Sequence, residues 1–369
     1  MPANVEIKAV CAHPERTRRA CAELGALVGE TRQVDVYYVT VRGRLKLRQD
    51  GDGERLIYYQ RPASPLPKIS AVEILPVGPA ERPVLDVIGR AVGVRARVEK
   101  RRAVYRTKAA RLHLDCVEGL GDFVEIEVDV ATAGDEDRAR SLAVELMDRL
   151  GLAQADLVSY SYAELAAMKA SSGTWRERLR GVGKPGALVL LDGASCSGKT
   201  TLVGRLLAAE DLAYVPRYCT RDPRPGEVDG KEYLFVGHER FLAMAAAGAF
   251  LEYRDFEFGM SYGLAWAESL TPLAAGRGAL GVMNLGSVRH VKDVFPEAVT
   301  VLIDVPEETI LERMVARGIN KPHEIEERLA NARRVESYRP YYDHVVSNQE
   351  GRLDQALAEL RAIVRSHAR

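Results

Sequence analysis

The stretch Gly193-Ala194-Ser195-Cys196-Ser197-Gly198-Lys199-Thr200 meets the pattern G-x-x-x-x-G-K-[ST] at every fixed position. It follows an apolar run, Ala187 to Leu191, that reads as a buried strand, and it precedes a helix-compatible Thr201 to Ala209. Strand, glycine-rich loop and helix in that order belong to a parallel α/β sheet, so the motif constrains the fold as well as the ligand. Glycines admit backbone torsions that would crowd a Cβ, which lets successive N–H groups turn inward around a phosphate. The spacing therefore predicts a nucleoside triphosphate site in which Gly193, Ser195, Ser197, Gly198, Lys199, Thr200 and Thr201 hold ATP. Lys199 neutralises phosphate charge, and the Thr200 hydroxyl suits Mg2+.

At 369 residues the chain is longer than most single cores and predicts two domains. The boundary shows in composition. An Ala-rich stretch, Ala163 to Ala170, gives way to Ser171-Ser172-Gly173, the charged Arg176 to Arg180, and Gly181-Val182-Gly183-Lys184-Pro185-Gly186. We expect one domain over 1–165, a linker over 166–186 and a second domain over 187–369. No internal repeat appears, so the two should be different folds. The 52 basic and 52 acidic residues cancel, and overall charge points to neither nucleic acid nor an anionic membrane. No apolar run approaches the roughly 20 residues of a membrane span. Met1 to Ala12 carries Asn4, Glu6 and Lys8 where a secretory signal would be apolar, so a cytoplasmic location is expected. Five widely spaced cysteines without a C-x-x-C pair read as reduced thiols, and no histidine has metal-binding spacing.

The first half is strand-like at Val5 to Val10, Gln33 to Val41, Leu45 to Gln49, Arg55 to Arg61, Ser70 to Pro76, Ala91 to Glu99, Arg101 to Lys108, Ala110 to Val117 and Phe123 to Val130. Charge recurs there with a period of two: Glu6 and Lys8; Lys46 and Arg48; Lys100 and Arg102; Arg111, His113 and Asp115; Glu125, Glu127 and Asp129. One face of an antiparallel sheet would thus carry cations and carboxylates together. Closing the sheet into a barrel puts that face in the lumen, where the charges need each other or a ligand. Cations suit a polyphosphate, and carboxylates among them would repel it unless a divalent ion lies between. The pattern implies a metal-bound triphosphate.

Over about residues 2–165 the sequence resembles the CYTH superfamily of triphosphate tunnel enzymes. The resemblance rests on Val5-Glu6-Ile7-Lys8, Leu45-Lys46-Leu47-Arg48, Tyr59-Gln60-Arg61-Pro62, Val98-Glu99-Lys100-Arg101-Arg102 and the segment Leu114 to Glu127, which looks most like the class IV adenylate cyclase branch. It implies that Glu6, Glu125 and Glu127, helped by Asp115, bind Mg2+ or Mn2+. It also implies that Lys8, Lys46, Arg48, Arg61, Lys100, Arg102 and Arg111 hold a triphosphate, with hydrolysis or cyclisation as the reaction. The family opens E-x-E-x-K, and here the first of those glutamates is Asn4, which supplies no charge.

The second half alternates apolar runs with helical segments: Ala187 to Asp192, helix 199–209, Ala279 to Asn284, helix 287–293, Val299 to Val305, helix 307–317, helix 323–337, Asp343 to Ser347 and helix 352–366. This predicts a parallel sheet with helices on both faces. After the phosphate loop comes Arg217 to Tyr233, where three arginines and two tyrosines suit a phosphate acceptor. From about 186 to 366 the sequence resembles guanylate kinase, through Thr220-Arg221-Asp222-Pro223-Arg224-Pro225-Gly226-Glu227-Val228-Asp229-Gly230-Lys231-Glu232-Tyr233 and Gly248-Ala249-Phe250-Leu251-Glu252. The resemblance implies that Arg221, Arg224, Tyr233 and Tyr262 grip the acceptor phosphate and Glu252 reads a guanine edge. Lys199, Arg313, Arg317 and Arg328 would then stabilise the phosphoryl group in transfer.

Base-reading positions depart from that pattern. Arg217 replaces a serine, Leu264 a hydroxyl residue and Asn284 an aspartate. Arg217-Tyr218 and Asn284 are also similar to the ribose 1,5-bisphosphate phosphokinases, so the acceptor is GMP or, as the alternative, a phosphorylated sugar. On that alternative the first domain is a non-catalytic nucleotide or polyphosphate sensor.

Overall fold

The computed structural model describes residues 3–40, 43–60, 68–224, 226–255, 260–316 and 322–367. Its contacts divide the chain into two compact units, one of Met1–Ala167 with two short later segments, the other holding the remainder. The segment expected to link the domains is helical over most of its length, as Tyr162–Arg180. Its Ala, Glu, Met, Lys and Arg content favours helix strongly enough to carry through Ser171, Ser172 and Gly173.

The first unit is a closed antiparallel barrel of eight strands: β1 (Ala3–Val10), β2 (Ala26–Tyr38), β3 (Arg44–Asp50), β4 (Gly53–Gln60), β5 (Lys68–Val77), β6 (Val94–Arg106), β7 (Ala110–Val117) and β8 (Gly121–Asp129). Their order is β1-β5-β4-β3-β2-β6-β7-β8. Nine strand runs were expected; two of them are the single strand β6, whose 13 residues continue across Lys100. Ala91 and Val92 belong instead to a helix, Arg82–Val92. The barrel is apolar outside and charged inside. Val5, Ile7, Ala9, Leu112, Val124, Ile126 and Val128 form one core with Cys21, Ala139, Ala143, Leu146 and Met147. The last five come from helices Pro14–Leu24 and Glu136–Arg149, which cover the outer face. With that face sealed by packing, the alternate residues have only the lumen.

Register places those inward charges opposite one another. Lys8 is paired with Glu125 and Glu6 with Glu127, Asp35 with Arg48, Arg102 with Asp115, and His113 with Glu125. Directly opposed cross-strand neighbours are close enough to interact, so most of the lumen's charges meet their partners by strand pairing alone.

The second unit contains a five-stranded parallel sheet, in the order β10-β15-β9-β16-β17. Its strands are β9 (Leu188–Asp192), β10 (Leu212–Val215), β15 (Gly278–Val282), β16 (Val299–Asp304) and β17 (His344–Ser347). A smaller sheet, in the order β12-β11-β14-β13, is built from β11 (Arg217–Cys219), β12 (Tyr233–Phe235), β13 (Phe250–Asp255) and β14 (Ser261–Ala265). Every residue of β9 is buried, as a central parallel strand covered on both faces requires. Helices Lys199–Ala209 and Leu353–His367 share one core with β9 and β16. The helix expected over 307–317 is described as Glu307–Ala316, and that over 323–337 as Pro322–Tyr338. Among the described residues no helix is long and apolar enough to cross a membrane.

Candidate active sites

The phosphate loop leaves the C-terminal end of β9. Gly193 has φ of 147° and a Cβ there would lie 2.5 Å from the carbonyl oxygen of Ile303. At Gly198, with φ of 90°, it would lie 2.3 Å from Asn348 Nδ2. Neither position admits a side chain. Cys196 at the bend has φ of 64°, the sole positive value of a non-glycine residue among those described.

Side chains from four places converge on this loop. Lys199 Nζ donates to the carbonyls of Gly193 (2.6 Å) and Ala194 (2.8 Å), so its ammonium is folded against the loop. Arg328 donates to Ser195 Oγ (2.6 Å), while Arg313 reaches the carbonyls of Cys196 (3.3 Å) and Asn348 (3.0 Å). Asn348 Nδ2 closes the base of the loop on Ser197 O (2.8 Å). Ser197 is buried, whereas Thr200 and Thr201 face solvent on the first turn of the helix. Arg317 lies outside the described residues.

Asp192, the last residue of β9, was not anticipated. It is fully buried, accepts from Gly193 N (2.6 Å) and from the Tyr342 hydroxyl (2.5 Å), and burial pushes its carboxyl up to about 6.

The acceptor residues form two linked groups. Arg221 meets Glu227 through both guanidinium ends (2.6 and 2.7 Å), donates to Tyr262 Oη (3.1 Å) and lies over the Tyr233 ring at 4.8 Å. Glu227 also accepts from Arg224 N, but the Arg224 side chain is exposed. In the second group Glu252, buried at the end of the pocket, accepts from Asn284 Nδ2 (2.8 Å) and Ser287 Oγ (2.7 Å). Asn284 Oδ1 accepts from Arg217 in turn. Tyr218 turns away, its hydroxyl donating to Glu268 (2.8 Å). The two sites share an edge: Met283, next to Asn284, donates its N–H to Leu191 O at the end of β9 (3.0 Å). Ser287 and Glu227 were missed because each matters only through a partner that folding supplies.

In the barrel, Asp35 accepts from Lys46 (2.8 Å) and, through both oxygens, from Arg48 (2.8 Å each). Burial alone would raise the Asp35 carboxyl, but Lys46 and Arg48 hold it far below the usual range. Asp115 accepts from Lys100 (2.9 Å), Arg102 (2.6 and 2.5 Å) and the Tyr162 hydroxyl (2.8 Å). Asp115, expected to help with a metal, is met here by two cations and a hydroxyl, three of the four donors falling on Oδ2 and one on Oδ1. Glu125 meets Lys8 (3.1 Å) and Arg102. Glu127 meets Arg111, which is half exposed at the end of its strand (3.1 Å). Arg61 lies outside the described residues. No histidine has metal-binding spacing along the sequence, yet in space His113 stands with Glu125 and Glu127, their ligand atoms all within 4.8 Å of one another. Two-residue alternation put His113 on the inward face, but its neighbour on β8 is set by strand register, which a linear spacing rule does not contain.

Comparison with known proteins assigns both halves. The family model described as guanylate kinase matches residues 185–367, and that described as CYTH domain matches residues 2–162. The chain is 38% identical over 185 residues to the guanylate kinase of Hahella chejuensis, covering 49% of this chain and 86% of that protein. It is 38% identical to that of Dechloromonas aromatica, covering 49% and 89%, and 36% identical to that of Corynebacterium jeikeium, covering 49% and 96%.

The buried Asp192 gives the second unit a pH-dependent stability. A carboxyl whose folded pKa is raised, here from 3.8 to about 6, favours the fold most at pH below 3.8 and loses that contribution as pH rises through about 6. Both tryptophans, Trp175 and Trp266, lie in this unit, so their fluorescence in urea reports its unfolding alone. We expect the stability of Asp192→Asn relative to wild type to rise by about 2–3 kcal/mol between pH 4 and pH 7. A pH-independent difference would show that the carboxyl is not strained by burial.

Proposed function

We propose, because the chain belongs to the guanylate kinase family through its second domain and carries a CYTH domain before it, that the second domain transfers the γ-phosphoryl group of ATP to GMP. Mg2+ held by the Thr200 hydroxyl and the phosphates would supply charge neutralisation. The observation that carries this reading is the junction at the ends of β9 and β15. Lys199, Arg313 and Arg328 gather there on the phosphate loop, and Glu252, buried behind Asn284 and Ser287, faces the acceptor side.

Phosphoryl transfer asks little covalent chemistry of a protein and much positioning. Arg221, fixed by Glu227 and packed on Tyr233, offers a preorganised guanidinium and the Tyr262 hydroxyl to the acceptor phosphate. Glu252 is an acceptor-only group, matched to donor N–H groups such as those on the Watson–Crick edge of guanine. Similarity to guanylate kinases over 86% to 96% of their length favours GMP over a phosphorylated sugar.

Lys199→Ala is expected to abolish ADP release with GMP while leaving the fold intact, since its charge acts mainly on bound phosphate. Glu252→Gln should lower kcat/KM for GMP by about 100-fold, the order of a lost charge-assisted contact. Wild-type turnover of GMP by a folded Glu252→Gln protein would remove the guanine assignment.

For the first domain we infer a site for a metal-bound triphosphate, with hydrolysis as its simplest reaction. Burial, together with neighbouring Arg48 and Arg102, lowers the lumen ammoniums of Lys46 to about 7 and Lys100 to about 8. Their charge, and with it the attraction for a polyanion, is lost as pH rises through that window. Titrating tripolyphosphate calorimetrically into Lys199→Ala, where the phosphate loop is disabled, should give affinity at least tenfold weaker at pH 9 than at pH 6.5. Equal affinity at both would place the binding outside the lumen.

A further inference from the structure

His113 projects inward from β7, directly across from Glu125 on β8. Its side chain is 6% exposed, and Nδ1 lies 3.8 Å from Glu125 and 3.7 Å from Glu127, too far for a hydrogen bond to either. That nitrogen has no hydrogen-bond partner among the described residues. An unpaired buried ring nitrogen is costly and calls for an explanation. Here it is turned toward two carboxylates, and one atom from each of the three groups falls within 4.8 Å of the others. A small inward movement brings them to the spacing of ligands around one ion.

The charges around this group sharpen the case. Glu125 is held by Lys8 and Arg102, and Glu127 by Arg111. A polyphosphate that draws those three cations to itself strips both carboxylates of their partners while His113 still has none. A divalent cation satisfies all three groups at once. On the inward row of β1, Asn4 stands opposite Asp129 and adds no charge, which leaves Glu6, opposite Glu127, as the one carboxylate of that row. An imidazole nitrogen in the set favours first-row transition ions, whose affinity for nitrogen ligands exceeds that of Mg2+.

The geometry points to His113 as a nitrogen ligand of the barrel's cation, making this centre selective for a transition ion such as Mn2+ over Mg2+. The inference rests on the reading of the barrel as a metal-bound triphosphate site. The test uses the full chain and Mn2+ alone as probe, with pulsed electron paramagnetic resonance reading the 14N coupling of a directly bound imidazole. Wild type should show that coupling, and Glu125→Gln/Glu127→Gln should abolish the signal, locating it in the barrel. His113→Gln should lose the nitrogen coupling and weaken Mn2+ binding roughly tenfold or more, with a much smaller effect on Mg2+. Should His113→Gln fail to fold, the wild-type spectrum together with His113→Asn decides the matter. Mn2+ that binds wild type without nitrogen coupling, yet is lost from the carboxylate double variant, overturns the role of His113 and leaves the metal site standing. Mn2+ binding indifferent to Glu125 and Glu127 overturns the metal site itself, and His113 with it.

Discussion

A guanidinium or ammonium removed from water is tolerable only beside an opposite charge, and both candidate sites of this chain are organised by that requirement. Arg102 lies between Asp115 and Glu125, Arg48 grips Asp35, and Arg221 grips Glu227. Each pair orients a cation that would otherwise swing freely. On the proposed reading the carboxylates hold the arginine forks where phosphate oxygens would replace them. In the barrel this also explains the inverted arrangement of polarity. Helices Pro14–Leu24 and Glu136–Arg149 bury the apolar face outside, which leaves no place but the lumen for the paired charges.

Pairing on this scale has a consequence for selectivity. A ligand must offer enough negative charge to compete with carboxylates already in place, so a monophosphate is a poor match for the lumen and a triphosphate a good one. The candidate acceptor site of the second unit is more open: Arg221 has Glu227 as its carboxylate partner, and the exposed Arg224 reaches the same carboxylate through its backbone N–H. On the proposed reading one phosphate suffices there. The two sites differ in how much anion they demand, and that difference follows from the number of carboxylates each cation already holds.

Local pattern carried much of this into the sequence. The strand-loop-helix order around Lys199 and the two-residue alternation of charge in the first half made the parallel sheet and the barrel legible, since each is written in consecutive residues. The small sheet β12-β11-β14-β13 was not legible, because its strands run three to six residues and its pairings join segments up to about 45 apart. Asp192 gave no signal either, since its strain arises from burial at the end of β9 beside Tyr342, 150 residues away. His113 was half visible: alternation faced it inward, and only the β7–β8 register brought it to Glu125 and Glu127. Asp115 was legible as an inward carboxylate, but its contacts with Lys100, Arg102 and Tyr162 come from three separate segments and were not.

The departures at Arg217 and Asn284 are best understood as one change. A serine and an aspartate beside Glu252 would put two carboxylates in one pocket, where they repel unless a ligand's donors lie between them. Here Arg217 donates to Asn284 Oδ1, which fixes the amide so that its Nδ2 donates to Glu252 and to Tyr262 O. Arginine, amide and carboxylate form a relay, and the Arg217 guanidinium balances the Glu252 charge from within the pocket. Glu252 therefore keeps its position without a base to hold it. Either substitution alone would break the relay: a carboxylate in place of Asn284 would confront Glu252, and a serine in place of Arg217 would remove the donor to Asn284 Oδ1 and the cation that balances Glu252. The pocket retains its acceptor at Glu252 and the donors that aim it, so this end is altered in charge but remains ordered.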